Sequence, residues 1–175
     1  MTPHRPYTLV AELTYRCPLR CSYCSNPLDW ARRADALDAR AWGDVLAQAE
    51  ALGVVQVHFT GGEPLLRPDL ERLVEAARRL DLYSQLVTSG VPLVRDRLVA
   101  LRRRGLDVVQ LSFQDAGAAA ADALAGRAAH ERKIAVARWV KDLGMPLTIN
   151  VVVHRANVDR VADVIGLAEM LGADR

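Results

Sequence analysis

No run of apolar residues in this chain of 175 is long enough to span a bilayer, and its first residues lack the hydrophobic stretch of a signal peptide. Neither sign of charge dominates: 23 Lys and Arg against 21 Asp and Glu leave a net charge of +2, which argues against a nucleic-acid partner or any strongly charged surface. The densest basic cluster, Arg102 to Arg104, sits on a helical pattern with Val94, Leu98 and Leu101 opposite, as a solvated helix face does. About half the residues are apolar and a quarter charged, so the composition is not that of a disordered chain, and the length suits one core. Cysteine is absent outside eight residues, 17–24, which hold Cys17, Cys21 and Cys24. An odd number of thiols this close together makes a poor disulfide framework. Free thiols without an export signal point to the cytoplasm.

What is there is therefore concentrated in that loop. The spacing C-x3-C-x2-C lets three thiolates wrap one iron-sulfur cubane, each ligating one iron and leaving the fourth without a protein ligand. An open iron suits a small molecule that brings its own amine and carboxylate and can take an electron, and S-adenosylmethionine is of that kind. Zinc is the alternative: Cys3His needs one imidazole from His4, His58, His130 or His154, although none lies within the loop. A zinc-bound structural module therefore stays open at this point.

Around the loop the chain alternates strand and helix. Strands are predicted at 8–15, 54–60, 82–89, 107–114 and 147–154, with helices after a cap at Asp38, over 69–80, 93–104, about 122–143 and 157–171. Leu52-Gly53, Arg104-Gly105, Leu143-Gly144 and Leu171-Gly172 read as helix ends. Such a βα repeat demands parallel crossovers. Each strand keeps one polar face (Glu12 and Thr14; Gln56, His58 and Thr60; Gln110, Ser112 and Gln114; Thr148, Asn150 and His154) opposite an apolar one, which fits a lumen that collects polar groups better than an open sheet buried on both faces. Residues 1–7 read as a lead-in arm. The order helix, Gly, strand breaks off after Gly172, as if a sixth strand were to follow.

The cysteine loop, with Tyr23 just before the last thiol and with Gly61, Gly62, Glu63 and Pro64 downstream, resembles the radical S-adenosylmethionine superfamily. The longer runs AELTYRCPLRCSYCSNP, HFTGGEP, YSQLVTSG, VQLSFQD and LTINVVVHRAN are similar to its peptide-modifying branch in pyrroloquinoline quinone biosynthesis, over nearly the whole chain. The resemblance implies an α/β fold, a partial (β/α) TIM-like barrel of the radical SAM type cut after five βα units, with 8–175 as an incomplete core domain. The sixth strand and a C-terminal domain of auxiliary clusters would be missing. It implies a [4Fe-4S] cluster on Cys17, Cys21 and Cys24 and bound S-adenosylmethionine, whose amino group meets Gly61, Gly62 and Glu63. Ser89, Ser112, Gln114 and Asn150 would touch its ribose and carboxylate, and Tyr23 its adenine. Many relatives have Asn where Ser89 stands. The implied reaction joins a glutamate and a tyrosine side chain of a precursor peptide through 5'-deoxyadenosyl radical chemistry, with a small carrier protein and an external electron donor as partners. Modification of a different peptide is the near alternative. His58 and His154 face inward, where core histidines are commoner than catalytic ones. Asp115 is placed near substrate by position alone.

Overall fold

The computed structural model describes residues 5–26 and 28–175; of the expected arm, residues 1–4 lie outside the described part. Five strands, β1 (Thr8–Glu12), β2 (Gln56–Thr60), β3 (Tyr83–Thr88), β4 (Val108–Phe113) and β5 (Leu147–Val151), form one sheet in the order β1-β2-β3-β4-β5. Every pair is parallel. Parallel strands laid down in sequence order, each joined by a right-handed crossover, place all helices on one face. The other face is left to curl around a lumen.

Six helices make the outer layer: α1 (Ala39–Ala51), α2 (Leu70–Arg79), α3 (Arg95–Arg104), α4 (Ala118–Ala125), α5 (His130–Asp142) and α6 (Val161–Met170). Between them and the sheet lies one core built on the outward face of the strands: Ala11, Val57, Phe59, Leu86, Val109, Leu111, Phe113 and Leu147, with Leu46, Leu73, Leu98 and Val136 from the helices. The opposite positions, Gln56, His58, Thr60, Gln85, Gln110, Ser112 and Thr148, are only half-buried, the alternation expected for a lumen. Asp38 caps α1 as expected, its carboxylate accepting the Ala41 N–H at 2.8 Å. Gly53, Gly105, Gly144 and Gly172 all take positive φ at the ends of helices.

Three local readings need correction. The helix expected over 122–143 is two, because Gly126 turns left-handed (φ 74°) and Asp122 Oδ1 accepts both Ala129 N–H and His130 N–H at 2.8 Å, starting α5 afresh. The first strand stops at Glu12 rather than Tyr15, since Thr14 Oγ1 accepts the Arg16 N–H at 3.2 Å and folds the chain into the cysteine loop. β5 ends at Val151, beyond which His154 N–H donates to Asn157 Oδ1 at 2.8 Å in a turn. The last residues run beside β5: Asp174 N–H donates to Leu147 O at 2.8 Å and Ile149 N–H to Arg175 O at 2.9 Å.

Candidate active site

The cysteine loop starts where β1 runs out, at the C-terminal end of the sheet, where parallel α/β folds gather their functional groups. It is pinned on two sides. Arg20 N–H and Ser22 N–H donate to Ala125 O and Leu124 O at 3.0 Å, so the loop satisfies the carbonyls left open at the end of α4. Gly62 N–H and Glu63 N–H donate to Thr14 O at 2.6 Å and Arg16 O at 2.8 Å on the other side. Leu19, Ala125 and Ala129 form a small apolar cluster against Cys17 and Cys21.

The two glycines after β2 serve this docking. A Cβ on Gly61 would overlap the Thr14 carbonyl, and its φ of +127° suits glycine; a Cβ on Gly62 would lie 2.7 Å from the Tyr15 carbonyl oxygen. In the sequence two adjacent glycines permit either a close backbone approach or a tight turn. The structure adds that the partner is the root of the cysteine loop.

A cavity of about 840 Å³ opens above the strand ends. Its wall brings together all three cysteines, Tyr23, Gly61, Gly62, Ser89, Ser112, Gln114 and Asn150, from one loop and four different strand ends. The turn from Leu28 to Arg32 closes one side, with Trp30 edge-on to Tyr15 at 5.0 Å. Glu63 is not on this wall. It is 0% exposed and lies beneath it, accepting from Thr88 Oγ1 at 2.6 Å, Ser89 N–H at 2.9 Å, Ser89 Oγ and Leu65 N–H at 3.2 Å. Burial raises its carboxyl above the usual range while those donors pull the other way. Asp115 is also wholly buried and off the wall, ion-paired with Arg160 at 2.6 Å, whose hydrogen bonds hold its carboxyl low. His154 lies against Tyr23 with ring centroids 5.0 Å apart and the planes tilted by 41°, and its Nδ1 accepts from Ala156 N–H.

Two buried residues escaped the sequence reading. Lys133 on α5 is 1% exposed and donates to Ser112 O at 2.9 Å and to Gln114 Oε1. Gln114 in turn donates to the Tyr23 hydroxyl at 3.1 Å and reaches Cys21 Sγ at 4.0 Å. Asn157, 1% exposed, donates to Gln114 O at 2.9 Å and Val152 O at 3.0 Å. The signal for Lys133 was a charge on the stripe it shares with Ala137 and Val140, which face the core.

Burial lowers the Lys133 ammonium to about 8. An unfolded lysine keeps its proton to about 10.4, so from pH 8 upward the unfolded chain binds more protons and stability rises with pH. Burial raises the Cys17 thiol to about 11, and from the ordinary thiol value of 9.0 upward that works in the opposite sense. Below about pH 9 the Cys17 thiol does not yet oppose the lysine, so its contribution is read between about pH 8 and 9. The melting temperature of the metal-free chain should change across that window with a more positive slope than that of Lys133→Met; equal slopes in both chains would contradict the buried charge.

The donor set fits a cluster better than a single ion. Three thiols on one wall match three corners of a cubane. Among the described residues no three His, Cys, Asp or Glu side chains converge as the ligands of one metal ion do. The volume is that of a site for a cofactor-sized molecule.

Comparison with known proteins agrees. The sequence pattern of the Radical SAM superfamily matches residues 11–168. The chain is 55% identical over 174 residues to the PqqA peptide cyclase of Gluconobacter oxydans (strain 621H), covering 99% of this chain and 49% of that protein. It is 55% identical over 170 residues to the PqqA peptide cyclase of Streptomyces rochei, covering 97% and 47%. It thus spans about half the length of the curated relatives it matches. Among solved structures, Streptococcus suis SuiB bound to its precursor peptide SuiA superposes with a TM-score of 0.84 at 25% identity, over 97% of this chain and 38% of that one. Methylornithine synthase (PylB) shares the fold, with a TM-score of 0.79 at 14% identity, over 96% and 51%. With its three-thiol loop at the strand ends and the superfamily pattern running from β1 to α6, the chain belongs to the radical SAM superfamily.

Proposed function

We propose that the chain is the cofactor-binding barrel of a PqqA peptide cyclase, the enzyme that joins a glutamate side chain of a precursor peptide to a tyrosine ring in pyrroloquinoline quinone biosynthesis. The observation that carries this reading is the meeting of three thiols from one loop with polar strand ends on one cavity, in a chain 55% identical along its length to such cyclases. Cys17, Cys21 and Cys24 would hold the [4Fe-4S] cluster, with its fourth iron open to the amine and carboxylate of S-adenosylmethionine. When bound, these cofactors supply one electron and a carbon radical able to take hydrogen from the substrate.

The chain's own residues position and shield. Gln114, itself held by Lys133 and Asn157, fixes the Tyr23 hydroxyl, so the tyrosine ring stands as a wall for the adenine. Ser89, Ser112 and Asn150 offer hydroxyl and amide groups for ribose and carboxylate. Glu63 acts from beneath by orienting Ser89 and Thr88. The closed side of the cavity keeps water from the reacting atoms.

SuiB's complex with a precursor peptide supports a peptide as partner. A small carrier protein and an external electron donor complete the set, in the cytoplasm. No helix among the described residues is long and apolar enough to cross a membrane. The half-length match and the start of pairing along β5 support a sixth strand there and a further C-terminal domain in such enzymes.

Grafted in place of the corresponding residues of the Gluconobacter oxydans relative, the chain should convert PqqA, with carrier protein and reductant, to a product two hydrogens lighter by mass spectrometry. By itself it should give slow cleavage of S-adenosylmethionine and no cross-link. A chimera that cleaves the cofactor but leaves the peptide mass unchanged would overturn the peptide reading.

A further inference from the structure

The wall of the cavity ends in a row of lumen-facing residues: Thr60, Val87, Ser112 and Asn150. Two residues earlier on each strand, about 6.6 Å deeper, lie His58, Gln85, Gln110 and Thr148. The register sets His58 level with Val10 on one side and Gln85 on the other, and Gln110 level with Thr148; between these two pairs it steps by two residues, Gln85 facing Val108 and Gln110 facing Val87. Gln85 Nε2 donates to Gln110 Oε1 at 2.6 Å, tying the row together across two strands. Val10, 60% exposed, stands beside His58 at the same level, and Tyr83, 47% exposed, stands one step below Gln85, both on the lumen face. None of these residues lines the upper cavity or has a part in holding the cluster.

This lower row has a definite chemical character. Its polar groups are two amides, a hydroxyl and an imidazole, with no lysine or arginine among them. Burial lowers the His58 imidazole, disfavouring its charged form. A carboxylate placed here would lose solvation with no cation to replace it. A phenol matches better, because its hydroxyl can both donate and accept while the ring packs on Val10 and Tyr83.

Resting on the peptide-cyclase reading, we propose that the lower lumen row seats the tyrosine of the precursor peptide, with His58, Gln85 and Gln110 hydrogen-bonding its phenol hydroxyl. The site places the acceptor ring in the lumen below the upper cavity. The glutamate then approaches from the cavity side, and the row selects tyrosine over phenylalanine.

The test is the fluorescence anisotropy of labelled PqqA peptide from Gluconobacter oxydans, with its tyrosine kept or replaced by phenylalanine. The unaltered chain should bind the tyrosine form about five- to tenfold more tightly, the value of one or two hydrogen bonds. In His58→Phe and in Gln110→Leu the preference should fall below twofold, with the phenylalanine peptide bound as before. Both substitutions fall on half-exposed lumen positions, outside the core. Equal binding of the two peptides by the unaltered chain, or a preference that survives both substitutions, overturns the subsite and leaves the cyclase reading standing. A chain that binds S-adenosylmethionine but neither peptide overturns both.

Discussion

Cys17→Ala, Cys21→Ala and Cys24→Ala should each emerge from anaerobic reconstitution colourless, where the unaltered chain takes up about four irons and turns brown. Each thiolate is the only protein bond to its iron, and two of them leave half the cubane without a protein ligand. The loss should be equal at all three positions although their surroundings differ, Cys17 and Cys21 being half-buried against Leu19 and Ala129 while Cys24 is exposed. None of the three side chains is a core residue, so circular dichroism should be unchanged and the loss of iron is not a loss of fold. Because burial raises the Cys17 thiol to about 11, iron must displace its proton, and loading should strengthen with rising pH. A single alanine variant with full iron and sulfide, or a chain that takes zinc in preference, would contradict the assignment.

Glu63→Ala should be the most destabilising single change near the site. The carboxylate is wholly buried and accepts four hydrogen bonds, so its removal leaves the Thr88 and Ser89 hydroxyls and the Ser89 and Leu65 N–H groups without an acceptor in the protein interior. Unmade bonds of this kind cost about 1 to 3 kcal/mol each, less where the site relaxes, so a loss of about 3 to 5 kcal/mol is expected. For a chain of this size that lowers the melting temperature by about 10 °C. Glu63→Gln fills the same volume but turns an NH2 group toward donors, and should lose about half as much. The same variants decide between the role implied by family resemblance, a direct contact with the methionine amino group, and the strut seen here. A melting temperature unchanged in Glu63→Ala, with cofactor affinity reduced by one to two decades, would restore the direct contact.

The barrel was legible because its determinants are local and repeated. Alternating polar and apolar residues mark each strand, and a single glycine marks four of the helix ends. The cysteine loop was legible because three thiols at fixed spacing have few other uses. What stayed hidden depends on contacts between distant segments. The stretch over about 122–143 reads as one helix, but Gly126 ends α4 in a left-handed turn packed so closely on Arg20 of the cysteine loop that a Cβ there would lie 3.0 Å from the Arg20 carbonyl oxygen. A carboxylate after two glycines can face the cavity or the core, and it turns to the core here because Thr88 and Ser89 of β3 offer it donors. Asp115 follows the same logic, since its partner Arg160 comes from the turn before α6, 45 residues away. Lys133 has no mark in the local sequence beyond its place on a core-facing stripe; what holds its ammonium inside is the Ser112 carbonyl and the Gln114 side chain, about twenty residues away.

The most direct test of the central claim, an open-iron cluster that binds S-adenosylmethionine beside Tyr23 and Gly61–Gly62, is electron paramagnetic resonance of the reduced, reconstituted chain before and after the cofactor is added. The account predicts the signal of a single reduced [4Fe-4S] cluster whose g-values shift on addition, as the amine and carboxylate reach the iron that no cysteine holds. A cluster signal that S-adenosylmethionine leaves unaltered, or a silent, colourless protein holding zinc, would contradict it.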